Sequence, residues 1–212
     1  MGRLDFELFG KEAPKSVNNF LAFCTGDFDP YLRYKNSSLH AIHEQRFILG
    51  GDFVSGDGTG SATVYRNEHD GKTMQAEKNT IVKFDEPYLL AMSANKEGQT
   101  GCQFFITLDR MPALNGTDHT IIGRLFKGRD TISYLEGMQE YRSSQDFIKR
   151  RIQEMPLTLG TKMNPEESKS ETSDEVVDAR RSRVIIKDSG AYKFSQSDKK
   201  MMKTTAVDRY DF

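Results

Sequence analysis

The sequence predicts a mainly β protein, a closed antiparallel β-barrel capped by helices. About seven short segments have the length and apolar content of strands, whereas only about two or three have helical spacing of their apolar residues. Few of these strands are joined by helices, although parallel strands need such crossover connections. The pattern therefore favours an antiparallel barrel over a parallel α/β sheet.

The first two elements are defined by their apolar spacing. Residues 3–9 alternate apolar and polar side chains strictly, which predicts a half-buried strand. Residues 13–25 carry apolar side chains at helical intervals and predict an amphipathic helix. Pro14 suits the first turn of this helix because its missing N–H is not needed there, and Gly26 stands where a helix commonly ends.

The later elements are shorter. Alternating glycines after residue 55 lack both the Lys-Ser/Thr ending and the following helix of a phosphate loop, so they predict a structural turn. Asp130 can cap a second helix. The further predicted strands lie in segments 38–42, 46–49, 89–92, 100–107, 120–125 and 184–190.

Composition argues against several classes of function. The net charge of −1 disfavours a nucleic acid or an anionic membrane recognised by charge alone. The two cysteines and four histidines show no metal-site spacing, so neither a metal nor another cofactor is expected. No apolar run approaches the ~20 residues of a membrane span, and the N-terminus resembles neither a signal nor a transit peptide. We therefore expect an intracellular protein without membrane insertion, in a compartment that the sequence does not specify.

Composition also divides the chain into four parts. Residues 1–157 are expected to form the main part of the barrel, and residues 182–190 its final strand. Between them, residues 158–181 are rich in acidic residues and nearly lack large apolar ones, so a mobile insertion is expected. Residues 191–212 form a polar C-terminal tail with scattered aromatic side chains.

Two neighbouring segments, 100–107 and 114–123, hold the candidate functional residues. On a strand, Gln103 and Phe105 face the same side because successive side chains alternate. With His119 from the second segment, an amide, a phenyl ring and an imidazole could converge on one apolar surface. An ordinary buried strand followed by a turn has the same pattern, so spacing alone leaves both interpretations open.

Several motifs occur in one order along the chain, and with them the sequence resembles the cyclophilins, which are peptidyl-prolyl cis-trans isomerases. The resemblance covers residues 2 to about 140 and 183–190, marks the chain as a divergent member, and implies an eight-stranded barrel with a helix capping each end. The family's first strand is missing by this comparison, which would leave an edge for the tail or a neighbouring protein's strand. The motifs are Gly2-Arg3, Glu7-Leu8-Phe9, Ala13-Pro14-Lys15, Asn19-Phe20, Leu39-His40, Gly50-Gly51-Asp52-Phe53, Gly58-Thr59-Gly60, Gln103-Phe104-Phe105-Ile106-Thr107, Leu114-Asn115-Gly116, His119-Thr120 and Lys187-Asp188-Ser189-Gly190.

The resemblance implies a pocket for a proline ring on the outside of the barrel. The family pattern places its asparagine on Asn95, whereas ungapped matching from Met92 places Ala94 there, and both assignments stay open. The proline-peptide-binding residues implied in this way are Phe47, Asn95, Gln103, Phe105, Leu114 and His119.

The chain departs from the family pattern at the point where catalysis takes place. Cyclophilins use an arginine to donate to the proline nitrogen while the amide, whose rotation barrier is ~18–20 kcal/mol, is twisted. This chain has Ala41 at that position, and Leu49 replaces a second family glutamine. Arg46 falls on the pocket rim and is the candidate substitute, with an ordinary solvated arginine as the alternative.

These departures predict a protein that binds proline-containing segments but isomerises them poorly, because losing a transition-state donor typically costs ~10²–10³ in rate. The first hypothesis is an interaction module or a subunit of a larger protein assembly with weak or lost activity. The second is an active isomerase that assists protein folding. The third is an architectural subunit whose pocket is closed or vacant.

Overall fold

The computed structural model describes residues 2–43, 45–66, 71–78, 81–137 and 184–192. Two α-helices lie in these ranges: α1 (Pro14–Thr25), and α2, which begins at residue 129 and continues to residue 137, where the described range ends. A short 3₁₀ turn spans Pro112–Leu114. The strands are β1 (Asp5–Leu8), β2 (Ser38–Leu39), β3 (Ala41–His43), β4 (Phe47–Gly50), β5 (Met74–Gln75), β6 (Leu89–Ala94), β7 (Gln99–Thr107), β8 (Thr120–Lys127) and β9 (Val184–Ile185).

The main sheet is built around β7, its longest strand. Its order is β1-β8-β6-β7-β4-β3, with β5 also paired to β7, while β2 and β9 form a separate two-stranded sheet. The ladders are antiparallel, so the prediction of a mainly β antiparallel protein with two helices is confirmed. Closure into a barrel is not confirmed, because β1 and β3 end the sheet at opposite edges and no described ladder joins them.

Helix α1 has the ends that the sequence predicts. Pro14 lies in its first turn, and Gly26 takes the left-handed conformation with φ 72° and donates its N–H to the Ala22 carbonyl. At the N-terminus, Ala13 supplies no side-chain cap. The Glu77 carboxylate caps this end from a distant loop, accepting the Lys15 N–H at 3.1 Å and the Ser16 N–H at 2.6 Å.

Alternation along the strands divides the apolar side chains between two clusters. One face of the sheet packs against α1 and α2 in a core that includes Phe20, Phe104, Ile106 and Ile132. The opposite face carries a second cluster of Phe84, Leu89, Ala91, Phe105 and Ile121. The second cluster lies on the sheet face that turns away from the helices.

The remaining domain assignments are only partly within the described residues. Within 182–190, Val184 and Ile185 form β9, which pairs with Leu39 and Ser38 of β2 in the separate two-stranded sheet and not with the main sheet. The acidic segment 158–181 and residues 193–212 of the tail lie outside the described residues. None of the helices in the described part of the chain is long and apolar enough to span a membrane.

Candidate functional site

Five apolar side chains lie in register across five adjacent strands, from β3 through β4, β7 and β6 to β8. The paired positions are Ala41–Leu49, Leu49–Phe105, Phe105–Ala91 and Ala91–Ile121. Residues directly opposite one another in antiparallel strands share a face of the sheet. These five residues, called the apolar row below, therefore form one uncharged strip across the outer face.

One end of the apolar row is covered and the other is open. Phe105, Ala91 and Ile121, the three members toward β8, are at most 4% exposed. Phe84 and Met111 pack over them. This cover is fastened by the Met111 N–H, which donates to the Phe84 carbonyl at 2.7 Å, and by the Phe84 N–H, which donates to Asn115 Oδ1 at 2.8 Å. Leu49 and Ala41 are only half-buried, so the row reaches solvent at its β4–β3 end.

Phe105 is the centre of an aromatic cluster at the boundary between the covered and open parts of the row. Its ring centroid lies 5.3 Å from the His119 ring and 6.1 Å from the Phe47 ring, both in edge-to-face geometry. Leu114 packs against the same cluster. The structure thus brings together Phe47, Phe105, Leu114 and His119, four of the six residues predicted to bind a proline peptide.

The His119 imidazole is held in a single neutral tautomer. Its Nδ1 accepts the Ala94 backbone N–H at 3.0 Å, so the ring proton must be on Nε2. Burial lowers the pKa of His119 below its usual value of 6.5, and the nearby Asp118 carboxylate opposes this shift only in part. The site therefore presents a neutral ring to a ligand at physiological pH.

We expect the His119 imidazole to titrate below pH 6.5, since protonating Nδ1 breaks its bond with the Ala94 N–H. The folded-state pKa is depressed, so the resulting stability is present above pH 6.5 and is lost as the pH falls through that pKa. Proton NMR of the imidazole, assigned with His119→Gln, measures this directly. A titration midpoint at or above pH 6.5 would mean that Nδ1 does not accept a hydrogen bond from the Ala94 N–H.

Gln103 lies on the same face of β7 as Phe105, but its side-chain amide holds a neighbouring loop in place. Its Nε2 donates to the carbonyl of Gly58 at 2.8 Å and to that of Gly60 at 2.7 Å. Both amide N–H groups are therefore used to hold residues 52–60, called the glycine loop below, against the sheet. Gln103 thereby fixes one border of the site.

Asp52 organises the glycine loop from within. Its carboxylate is fully buried and accepts four backbone N–H groups, those of Val54, Ser55, Gly58 and Gly60, at 2.8–3.1 Å. Burial by itself raises the pKa of this carboxyl, but the backbone hydrogen bonds outweigh it and lower the pKa to about 2. The structural turn predicted from the alternating glycines is thus a loop wrapped around a buried charge.

Asn95 lies in the turn between β6 and β7. Its Oδ1 accepts the N–H groups of Glu97 at 3.0 Å and Gln99 at 2.9 Å. The side chain therefore stabilises the turn. The Ala94 backbone is the part of this segment that contacts His119.

Arg46 lies in the turn between β3 and β4. Its guanidinium carbon is 6.0 Å from the centre of the Phe47 ring, and the residue is exposed. The Phe47 ring in turn contacts Phe105. A cation is thus present at the rim of the site, separated from the Phe105 ring by an aromatic side chain.

Sequence reasoning missed the residues that cover the row and the residue that organises the loop. Phe84 comes from a segment without regular spacing and joins the site by stacking on Phe105, whereas Met111 directly precedes the 3₁₀ turn in the chain. Asp52 did leave a signal, because alternating glycines downstream of a carboxylate provide unhindered N–H donors. That pattern predicts a carboxylate-centred loop as readily as a plain turn.

The side chains of the site suit binding of an uncharged apolar group. Phenyl rings and aliphatic side chains form its floor, and a neutral imidazole supplies a polar border. Among the described residues, no three His, Cys, Asp or Glu side chains are grouped as metal ligands would be. The side chains present at the site are suited to binding and orienting a ligand.

Comparison with known proteins identifies the class. Residues 1–156 match the family model of the cyclophilin type peptidyl-prolyl cis-trans isomerases, and the chain belongs to this family. It is 38% identical over 154 residues to peptidyl-prolyl cis-trans isomerase H of Mycosarcoma maydis, a match that covers 71% of this chain and 94% of that protein. A match to peptidyl-prolyl cis-trans isomerase 9 of Caenorhabditis briggsae is 34% identical and covers 72% of this chain.

A solved structure supports the same assignment. A cyclophilin-type peptidyl-prolyl cis-trans isomerase of Cryptosporidium parvum, crystallised in the presence of the dipeptide Ala-Pro, is similar with a TM-score of 0.54 at 34% identity. The match covers 63% of this chain and 78% of that one. The chain spans about half the length of the Caenorhabditis relative, 48%.

Proposed function

We propose that this chain binds proline-containing segments beside Phe105, where the covered and open parts of the apolar row meet, and isomerises them weakly or not at all. The observation that carries the proposal is the register of the row, in which Ala41 and Leu49 continue the apolar floor of Phe105. A proline ring seated on Phe105 therefore meets methyl groups along the row toward β3, where the family pattern has an arginine and a glutamine.

Binding and turnover depend on different interactions at this site. Apolar contacts with the proline ring are nearly the same in the planar and the twisted amide, so they lower the energy of both states equally and add affinity without rate. A donor aimed at the proline nitrogen acts only on the twisted amide, and such a donor is typically worth ~10²–10³ in rate. A site with the apolar floor and without this donor is a proline-binding module, suited to a subunit of a larger protein assembly.

An active isomerase is the second candidate, and Arg46 is the observation that favours it. The side chain is exposed and its guanidinium lies over Phe47, so a rotation about its flexible stem could bring it over the site. The stacking on Phe47 is a weak restraint, worth about 0.5–1 kcal/mol at an exposed site. A measured rate in wild type that is lost in Arg46→Met would establish this function instead.

Titration of the isotope-labelled protein with the dipeptide Ala-Pro, followed by NMR, tests the proposed binding. We expect chemical-shift changes at Phe47, Phe105 and His119, and a several-fold larger dissociation constant in Phe47→Ala. Phe28→Ala is the matched control, since Phe28 is also a phenylalanine beneath an arginine, Arg66, but lies outside the cluster. Absence of saturable shifts near Phe105 would contradict the proposal.

A further inference from the structure

The apolar row extends beyond the place of the proline ring. From Phe105 it passes through Leu49 to Ala41, and adjacent strands are ~4.8 Å apart, so this open arm is ~10 Å long. An extended peptide advances ~3.3 Å per residue, and the arm therefore has room for about three residues. The residue next to a proline seated on Phe105 would lie over Leu49.

The open arm is uncharged over its whole length. Leu49 is half-buried and packs into the Phe105 cluster, so part of its side chain faces outward from a fixed position. Ala41, its partner across the ladder, adds only a methyl group and is half-buried. A polar side chain placed here would lose hydration without gaining a hydrogen bond, whereas an aliphatic side chain would gain contact area.

Resting on the function proposed above, we propose that the apolar row selects proline segments in which a large aliphatic residue adjoins the proline. Leu49 is the specificity-determining residue, because its side chain forms the floor beneath that neighbour. Ala41 contributes by being small, which keeps the arm open at its β3 end. The ligand class is thus an extended segment with an aliphatic–proline or proline–aliphatic pair.

Two pairs of peptides of nearly equal side-chain size test this selection. The pairs are Leu-Pro-Ala with Gln-Pro-Ala, and Ala-Pro-Leu with Ala-Pro-Gln, each blocked at both ends. In at least one pair, the leucine peptide is expected to bind about 5–10-fold tighter to wild type by calorimetry, as partial burial of a leucine side chain implies. In Leu49→Gln this preference is expected to fall below about 2-fold, while Leu49→Met, which keeps volume and apolarity, retains it.

The outcomes distinguish this selection from the binding that it rests on. An amide NMR spectrum of Leu49→Gln that matches wild type away from the open arm shows that the variant is folded, so that a lost preference does not reflect a lost fold. If Ala-Pro binds wild type but both leucine peptides bind within about 2-fold of their glutamine partners, or if Leu49→Gln keeps the preference, the selection is overturned and the proline site stands. If Ala-Pro does not bind wild type, the proposed function fails and the selection fails with it.

Discussion

Ala41→Arg is expected to raise kcat/KM for an X–Pro peptide by about 10²-fold over wild type, because it returns a charged donor to the β3 end of the apolar row. Ala41 lies in register with Leu49, which in turn lies in register with Phe105. An arginine there has the length to lean along the row toward an amide seated at Phe105. Its guanidinium would interact with the proline nitrogen most strongly when the twisted amide localises the lone pair.

Ala41→Met is the matched control for this gain. Methionine is long and apolar and fills the same space, but it has no donor, so the rate is expected to stay at the wild-type level. Both variants are assayed by the isomerisation rate of a chromogenic Ala-Pro peptide. An unchanged rate in Ala41→Arg, with Ala-Pro still bound, would show that a missing donor at this position does not limit turnover.

Asp52→Asn is expected to lower the free energy of unfolding at pH 7 by about 2–3 kcal/mol. Folding lowers the pKa of this carboxyl from 3.8 to about 2, and a tenfold change in proton affinity corresponds to about 1.4 kcal/mol. An asparagine amide accepts at one oxygen only, and its NH₂ group would face the N–H groups of Gly58 and Gly60 or those of Val54 and Ser55.

The pH dependence gives this prediction a second readout. The folded-state pKa is depressed, so the stabilisation is fully present above about pH 4 and is lost as the pH falls toward about 2. Urea unfolding between pH 5 and pH 2 should show a steep loss in wild type and a flatter profile in Asp52→Asn. Asp57→Asn, an exposed carboxylate in the same loop that accepts from Thr59, is the matched control with a much smaller effect. Equal profiles for wild type and Asp52→Asn would show that the buried carboxylate does not hold the loop.

The spacing of apolar residues predicted the helix and strands well, because this spacing reflects which face of an element is buried. The strict alternation of residues 3–9 gave β1, and the helical spacing between Pro14 and Gly26 gave α1 almost to the residue. The same alternation placed Gln103 and Phe105 on one face of β7. Closure of the barrel could not be predicted in this way, because the pairing of edge strands depends on contacts between distant segments and not on the period of any one segment.

The candidate site was predictable where its residues lie on strands and less so where they lie on loops. Phe105 follows from alternation along its strand and His119 from its place just before β8, whereas Phe47 was implied by the family resemblance. Asn95 shows the limit, because residue type alone does not reveal whether an amide faces a ligand or bonds its own turn, as Asn95 does. Asp52 shows the converse, since its partners are four backbone N–H groups that carry no sequence signature beyond nearby glycines.

Exchange NMR of a blocked Ala-Pro peptide with a substoichiometric amount of wild-type protein tests the central claim most directly, because one spectrum reports both binding and cis–trans exchange. We predict that the peptide resonances broaden or shift with added wild-type protein, while the cis–trans exchange cross-peaks stay near their uncatalysed intensity. With Ala41→Arg, the intensity of these cross-peaks is expected to increase. Strong cross-peaks with wild-type protein would contradict the claim, as they would show that the apolar row catalyses isomerisation without an arginine at position 41.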